Sequence, residues 1–311
     1  MSTPEVWLDP LSYSLSRYQA TMFLSHLATC PCPSLTHLTL RHCSLTSVPP
    51  PILARAVARL SSFTALWVEL SHTQVPALFT ALADPSSRLR HLSLSDYYGT
   101  EMVTRLEVEP DTLARALAGL ETLTYSCHLP PQFWKLLAEG GARLRRITVP
   151  RRFAIECPAE DLASALNNLE QLDFEKDFSE DAEGEFVDCF NSEQVINVFE
   201  KMAKTTKLKK VTVEISEENI LNHLELTPGL FAEALSNVEE VKIIVKNEVH
   251  FNSEITHLFH LLGSTANYRL RKLWLSVNSQ PAKFKLDPTL VSQLDQGKVK
   301  EIKLDGDIKI I

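Results

Sequence analysis

The segment LTHLTLRHCSL at residues 35–45 alternates apolar and polar residues in a pattern that predicts a short β-strand followed by a turn. Leu38 and Leu40 are two residues apart, so on an extended chain both side chains point to the same side, into a core. Thr39 and Arg41 point to the opposite side, toward solvent. A single strand of this kind cannot bury its own leucines, so the pattern predicts further copies stacked against it.

The same spacing of apolar residues returns along the chain at a mean interval of about 29 residues, which indicates a series of stacked repeats. The ten apolar sets are Leu35/Leu38/Leu40, Phe63/Leu66/Val68, Leu89/Leu92/Leu94, Leu120/Leu123/Tyr125, Leu144/Ile147/Val149, Leu169/Leu172/Phe174, Leu208/Val211/Val213, Val238/Val241/Ile243, Leu270/Leu273/Leu275 and Val299/Ile302/Leu304. One copy is weak evidence, because any amphipathic strand can imitate it. A series at a nearly constant period is strong evidence.

The segments between these sets predict helices of two alternating kinds. One kind follows a proline, which is tolerated in the first turn of a helix. Its sequences are PPPILARAVARL, PDTLARALAGL, PAEDLASALNNL and TPGLFAEALSNV. The other kind has no proline entry and covers residues 74–83, 132–139, 193–204 and 253–263. The true period is therefore a pair of repeats.

This alternation, in units of about 28–29 residues, resembles the ribonuclease-inhibitor type of leucine-rich repeat protein. The resemblance covers about residues 19–305 and implies an α/β solenoid of about ten repeats. Strands stack about 4.8 Å apart and packed helices about 8–10 Å apart, so we expect a horseshoe with a parallel sheet on the concave side and helices on the convex side. Residues 1–34 are predicted to form an N-terminal capping unit, with a short strand at Val6 and Leu8, and residues 35–311 to form the solenoid.

The charge is distributed unevenly over a chain of 311 residues with a net charge of −8. Residues 1–155 carry 14 Lys and Arg against 11 Asp and Glu, whereas residues 156–311 carry 17 against 28. The acidic balance argues against nucleic-acid binding. One insertion, EKDFSEDAEGEFVD at residues 175–188, is strongly acidic; it is either a solvated loop or an acidic lip that contacts a basic partner.

The cysteines and the absence of targeting segments favour a reducing compartment, so we expect a cytoplasmic protein. No apolar run is long enough to span a membrane, and we expect no membrane contact. Cys43 occupies a repeat position that usually holds a buried Asn or Cys, which predicts a core thiol. Cys30 and Cys32 are too close for an easy disulfide with each other and have no further ligands at zinc-site spacing.

We find no constellation of residues that predicts catalysis, a cofactor or a metal site. Glu254, His257 and His260 fit a solvated helix face better than a metal site. Four arginines cluster at the fifth apolar set, at positions 145, 146, 151 and 152. They form either a contact for an anion or an acidic peptide, or an ordinary charged surface.

The residues that flank the inward positions define the predicted binding surface, the concave face of the sheet. Most are small or polar; the candidates for binding are Trp67, Glu69, Arg146, Asp173, Lys242, Ile244, Lys272 and Trp274. Exposed tryptophan is over-represented among residues that dominate binding energy. For Trp274, the alternatives are that lysine stems cover it or that a register shift buries it.

We therefore predict a monomeric, non-catalytic scaffold for protein–protein interaction that binds a protein partner on its concave face. Two alternatives remain open. The chain is either the substrate-recognition subunit of a ubiquitin ligase, although residues 1–34 contain no adaptor-binding box, or the repeat part of a longer sensor protein. The identity of the partner does not follow from the sequence.

Overall fold

The structure is a computed structural model in which the described residues fall into two compact units. The described residues are 5–8, 17–30, 35–66, 68–95, 108–125, 130, 132–139, 143–150, 159–175, 200, 202–204, 208–215, 228–236, 238–246, 269–278, 284–286, 301–305 and 308–310. We call the part up to residue 150 unit 1 and the part from residue 159 onward unit 2.

Unit 1 alternates strands and helices throughout its described part. Its elements are β1 (Glu5–Leu8), α1 (Arg17–Thr29), β2 (His37–Arg41), α2 (Pro50–Ala58), β3 (Ser62–Leu66), α3 (Gln74–Leu82), β4 (His91–Ser95), α4 (Pro110–Gly119), β5 (Thr122–Tyr125), α5 (Phe133–Glu139) and β6 (Arg146–Pro150). The six strands pair in chain order and all pairs are parallel. The strand predicted at Val6 and Leu8 is present as β1.

Unit 2 also combines helices with parallel strands, in the part of it that the structure describes. Its elements are α6 (Ala159–Leu166), β7 (Gln171–Glu175), β8 (Lys210–Ile215), α7 (Pro228–Ser236), β9 (Glu240–Lys246), β10 (Lys272–Asn278), β11 (Phe284–Leu286), β12 (Glu301–Asp305) and β13 (Ile308–Ile310). Strands β7, β8, β9, β10 and β12 pair in that order and are parallel. Strands β11 and β13 form a separate parallel pair.

The core of unit 1 lies between the inward side of the strands and the apolar side of the helices. Leu38, Phe63, Leu92 and Leu123 are paired in register from strand to strand and are all buried. Helix α2 contributes buried residues such as Leu53 from the other side. As predicted, α2 and α4 begin at a proline, whose missing N–H is not needed in the first turn.

In unit 2 the equivalent core positions are Leu172, Val211, Val241 and Leu273, which are also paired from strand to strand and buried. In both units every apolar set except one has the predicted register. An α/β fold with a parallel sheet is therefore confirmed in each unit.

The exception is the second set, for which the predicted register Phe63/Leu66/Val68 is wrong. Phe63 pairs with Leu38 and Ala65 pairs with Leu40, so Ala65 is core and 1% exposed, whereas Leu66 is partly exposed. Two sets of residues fit the apolar spacing here, Phe63/Leu66/Val68 and Leu60/Phe63/Ala65. The second set, which the structure adopts, has the small residue Ala65 at its third position. This set is favoured because it stacks Phe63 between Leu38 and Leu92.

Three predictions concern residues that lie wholly or mostly outside the described part. The predicted acidic insertion is described only at Glu175, the last residue of β7. Of the predicted helix at 193–204, residues 200 and 202–204 are helical, and residues 253–263 are not described. The predicted capping unit at residues 1–34 stays a prediction.

Candidate binding face

The side of the strands that alternates with the buried side is an open face in each unit. In β2, β3 and β4 buried residues alternate strictly with partly exposed ones. Because neighbouring strands pair without a shift, residues at equivalent positions form rows that cross the strands. Any ligand on this face meets a regular array of side chains.

The open face of unit 1 carries hydroxyl, imidazole, guanidinium and one aliphatic side chain. We define the unit 1 open face as His37, Thr39 and Arg41 on β2; Ser62, Thr64 and Leu66 on β3; His91, Ser93 and Ser95 on β4; Thr122 and Thr124 on β5; and Arg146 and Thr148 on β6. All of these residues are at least partly exposed.

The open face of unit 2 is more strongly charged and contains an aromatic residue. We define the unit 2 open face by its described side chains: Gln171 and Asp173 on β7; Lys210 and Thr212 on β8; Glu240 and Lys242 on β9; and Lys272 and Trp274 on β10. Strand β12 continues the rows with Glu301 beside Lys272 and Lys303 beside Trp274.

Trp274 and Lys242 form the central contact of the unit 2 open face. Trp274 on β10 lies directly opposite Lys242 on β9. The Nζ atom of Lys242 is 4.4 Å from the centroid of the Trp274 ring, within the range of a cation–π interaction. The indole is partly exposed, so this pair presents an aromatic surface next to a positive charge.

The row beside this pair alternates in charge. Lys210, Glu240 and Lys272 are successive partners in register. The Nζ atom of Lys272 lies 3.1 Å from Oε1 of Glu240, and both side chains are about half exposed. An ion pair this exposed contributes little to stability, about 0–1 kcal/mol.

The predicted site residues do not all meet in one place. Lys242, Lys272 and Trp274 come together on β9 and β10. Ile244 lies two positions along β9, opposite Ser276. Asp173 lies on β7, where its Oδ2 atom accepts a hydrogen bond of 2.5 Å from Nε2 of Gln171.

The remaining predicted residues belong to unit 1. Arg146 is the exposed first residue of β6. Glu69 is partly exposed in the turn after β3, where it forms a main-chain bridge with Ser44. Trp67 lies outside the described residues. The predicted outward residue Ala65 is buried, as described above.

Sequence reasoning missed three residues of the unit 1 open face, namely Ser62, Thr64 and Leu66. All three lie on β3, where the predicted register was wrong. The frame Leu60/Phe63/Ala65, which lies 25 residues after Leu35/Leu38/Leu40, predicts the register that β3 has in the structure. This frame does not match a pattern of large apolar residues, because alanine is small.

Comparison with known proteins gives a fold but no close relative. No protein-family model matches the chain, and no curated protein matches it in sequence. Among solved structures, the leucine-rich repeat-containing protein LegL7 from Legionella pneumophila is similar, with a TM-score of 0.50 at 15% sequence identity. The alignment covers 90% of this chain and 86% of LegL7. The fold is that of a leucine-rich repeat protein.

This fold gives the open faces their context. In a leucine-rich repeat solenoid each repeat contacts only the repeats next to it. Among the helices in the described part of the chain, none combines the length and the hydropathy required to cross a lipid bilayer.

Proposed function

We propose that this chain is a non-catalytic interaction scaffold that binds a protein partner on the unit 2 open face, with Trp274 as the central contact. The contact between Lys242 and Trp274 is the observation that carries the proposal. Trp274 is partly exposed on the open side of a parallel sheet. Tryptophan is enriched among the residues that dominate binding energy at protein interfaces.

The neighbouring charges support a protein as the ligand. Lys242 and Lys272 lie beside Trp274, and Glu240 is the register partner of Lys272. An aromatic centre surrounded by charges of both signs is typical of protein interfaces, in which an apolar core is enclosed by a polar rim. We expect the partner to place an apolar side chain on the indole and a carboxylate near Lys242.

The test compares the proteins that bind to the wild-type chain with those that bind to Trp274→Ala. We expect affinity purification with mass spectrometry to recover partners with wild type that are lost with Trp274→Ala. For a purified partner, the loss of affinity is expected to be about thirtyfold, the ~2 kcal/mol typical of a dominant interface residue. Lys242→Ala is expected to weaken binding by a smaller factor.

Tyr18→Ala on α1 is the control, because it removes an exposed aromatic side chain that belongs to neither open face. Circular dichroism and thermal melting establish that each variant folds. If Trp274→Ala folds normally and retains every partner at unchanged affinity, the unit 2 open face is not the binding surface.

We also infer that the chain is of the ribonuclease-inhibitor type. Support comes from the alternation of helices in unit 1, where α2 and α4 begin at a proline and α3 and α5 do not. In unit 2, α7 begins at Pro228. The alternation predicts a helix without a proline entry at residues 253–263. A crystal structure lacking that helix would contradict the assignment.

For its location we propose the cytoplasm. Cys30 and Cys43, the cysteines of the described residues, are both free thiols, which fits a reducing compartment. Imaging of the tagged full chain in cells, with tags at either end in separate experiments, tests this proposal.

A further inference from the structure

The unit 1 open face differs in chemistry from the unit 2 open face, although both occupy the same side of equivalent strands. None of the residues of the unit 1 open face is Asp or Glu. The described side chains of the unit 2 open face include the carboxylates of Asp173 and Glu240. The residues that define the unit 1 open face therefore include positively charged side chains but no negatively charged ones.

A row of hydroxyl groups crosses the middle of the unit 1 open face. Thr39, Thr64, Ser93, Thr124 and Thr148 are successive partners in register on β2 to β6. Neighbouring strands lie about 4.8 Å apart, so the row offers a hydroxyl at about that interval over roughly 19 Å. Each hydroxyl can donate one hydrogen bond to an acceptor above the sheet.

A second row beside the hydroxyls carries the basic and imidazole groups. His37, Ser62, His91, Thr122 and Arg146 are successive partners in register. The imidazole of His91 contacts the hydroxyl of Thr122 across the strands, with 2.9 Å between Nδ1 and Oγ1. Arg146 is exposed at one end of the row.

A third row adds a positive charge and an apolar surface. Arg41 and Ser95 lie on either side of Leu66 in the register of β2, β3 and β4. Acidic residues border the surface: Glu5 on β1 is the register partner of His37, and Glu69 lies in the turn after β3.

We propose that the unit 1 open face binds an extended acidic segment of a protein partner, with Asp and Glu carboxylates aligned along the hydroxyl row and one of them on Arg146. Hydroxyl and guanidinium donors match carboxylate acceptors, and charge-assisted hydrogen bonds of this kind are roughly twice as strong as neutral ones. At about 3.3 Å per residue, six extended residues span the five strands.

The same observations disfavour a nucleic acid as the ligand. A duplex carries a negative charge every ~1.7 Å and is bound mainly by lysines and arginines that neutralise its phosphates. The unit 1 open face offers the guanidinium groups of Arg41 and Arg146 over five strands, within a chain of net charge −8. Such a sparse positive charge suits a few carboxylates better than a polyphosphate backbone.

The experiment measures binding of fluorescently labelled hexapeptides to the full chain by anisotropy, at low ionic strength. Hexa-aspartate is the probe, hexa-asparagine is its neutral equivalent, and a single-stranded DNA hexamer tests the competing ligand class. We expect hexa-aspartate to bind at least about tenfold more tightly than either of the other two, and salt to weaken its binding.

Variants locate the binding on the surface. Arg146→Glu reverses the exposed charge, and Ser93→Asp places a carboxylate in the middle of the hydroxyl row. Each is expected to lower the affinity for hexa-aspartate by about tenfold. Arg55→Glu is the matched control: it makes the same charge change on the exposed side of α2 and is expected to leave the affinity within about twofold. Arg146→Gln, which removes the charge without reversing it, gives a milder test if a charge-reversal variant does not fold.

Three results would overturn the proposal: equal binding of hexa-asparagine, equal or tighter binding of the DNA hexamer, or an equal loss of affinity in Arg55→Glu. The proposal is independent of the function proposed for the unit 2 open face. Trp274→Ala is expected to leave hexa-aspartate binding unchanged, so the failure of either proposal is distinguishable from the failure of the other.

Discussion

The side-chain amide nitrogen of Gln74 donates a hydrogen bond to the main-chain carbonyl oxygen of Val48, 2.7 Å away in the preceding repeat. The same nitrogen donates to the carbonyl of Leu45 at 2.7 Å, and the main-chain N–H of Ser71 donates to Oε1 of Gln74 at 2.8 Å. Gln74 is the first residue of α3 and is fully buried. One side chain thus satisfies three main-chain groups and connects the turn after β2 to the turn after β3.

Replacing Gln74 with Leu is expected to lower the free energy of unfolding by about 2–4 kcal/mol, because buried carbonyl and amide groups lose their partners. Urea titration followed by circular dichroism measures the change. Gln132→Leu, at a partly exposed glutamine that precedes α5, is the control and is expected to change stability by less than about 1 kcal/mol. Equal stability of the two variants would show that the Gln74 hydrogen bonds contribute nothing.

The register of β3 predicts opposite outcomes for two adjacent residues. Ala65 is buried in the core, so Ala65→Asp places a charge without a partner inside the stack and is expected to cost more than about 3 kcal/mol. Leu66 lies on the unit 1 open face, so Leu66→Asp is expected to fold with nearly wild-type stability. Thermal melting distinguishes the two. If Leu66→Asp were less stable than Ala65→Asp, the register Phe63/Leu66/Val68 predicted from the sequence would be correct.

Arg90 stabilises the end of the next helix. Its Nη1 atom donates to the carbonyl oxygen of Leu89 at 2.9 Å and to that of Gly119, the last residue of α4, at 3.1 Å. A cation at this end of a helix interacts favourably with the helix dipole. Arg90→Ala is expected to lower the free energy of unfolding by about 1–2 kcal/mol. Arg88→Ala, at an exposed arginine two residues earlier, serves as the control in the same urea titration and is expected to have little effect.

Cys43 is partly exposed rather than fully buried, so the predicted core thiol is only half enclosed. Burial nevertheless raises the pKa of its thiol from 9.0 to about 11. The thiolate is the reactive form, so at pH 8 the alkylation of Cys43 by iodoacetamide is expected to be up to about a hundredfold slower in the folded chain than in the urea-unfolded chain. Mass spectrometry of the modified peptide measures both rates.

The same pKa shift predicts how stability depends on pH. The folded pKa of Cys43 lies above the unfolded value, so its contribution is complete below pH 9.0 and is lost as the pH rises through about 11. Between these pH values the urea midpoint of the wild-type chain is expected to fall more than that of Cys43→Ala. Parallel pH profiles for the two proteins would mean that Cys43 titrates alike in the folded and unfolded states.

The sequence by itself determined the repeat, the kinds of helix and most of the core. Leu38, Leu92 and Leu172 were predicted as inward residues and are buried. The prolines at residues 50 and 110 were predicted to begin helices and do so. These features are encoded locally, because a strand alternates its sides every residue and a helix accepts proline only in its first turn.

The tertiary structure alone decided the choice between frames in β3 and the contacts between repeats. Two apolar frames starting at Leu60 and Phe63 are nearly equivalent within one strand, and only the stacking of Phe63 on Leu38 and Leu92 separates them. Three sets of contacts join residues of different repeats: the hydrogen bonds of the Gln74 side chain, the contact between Trp274 and Lys242, and the hydroxyl row. Their partners lie 24–32 residues apart in the chain, so no local pattern records them. They form because parallel pairing without a shift brings equivalent positions of successive repeats within contact distance.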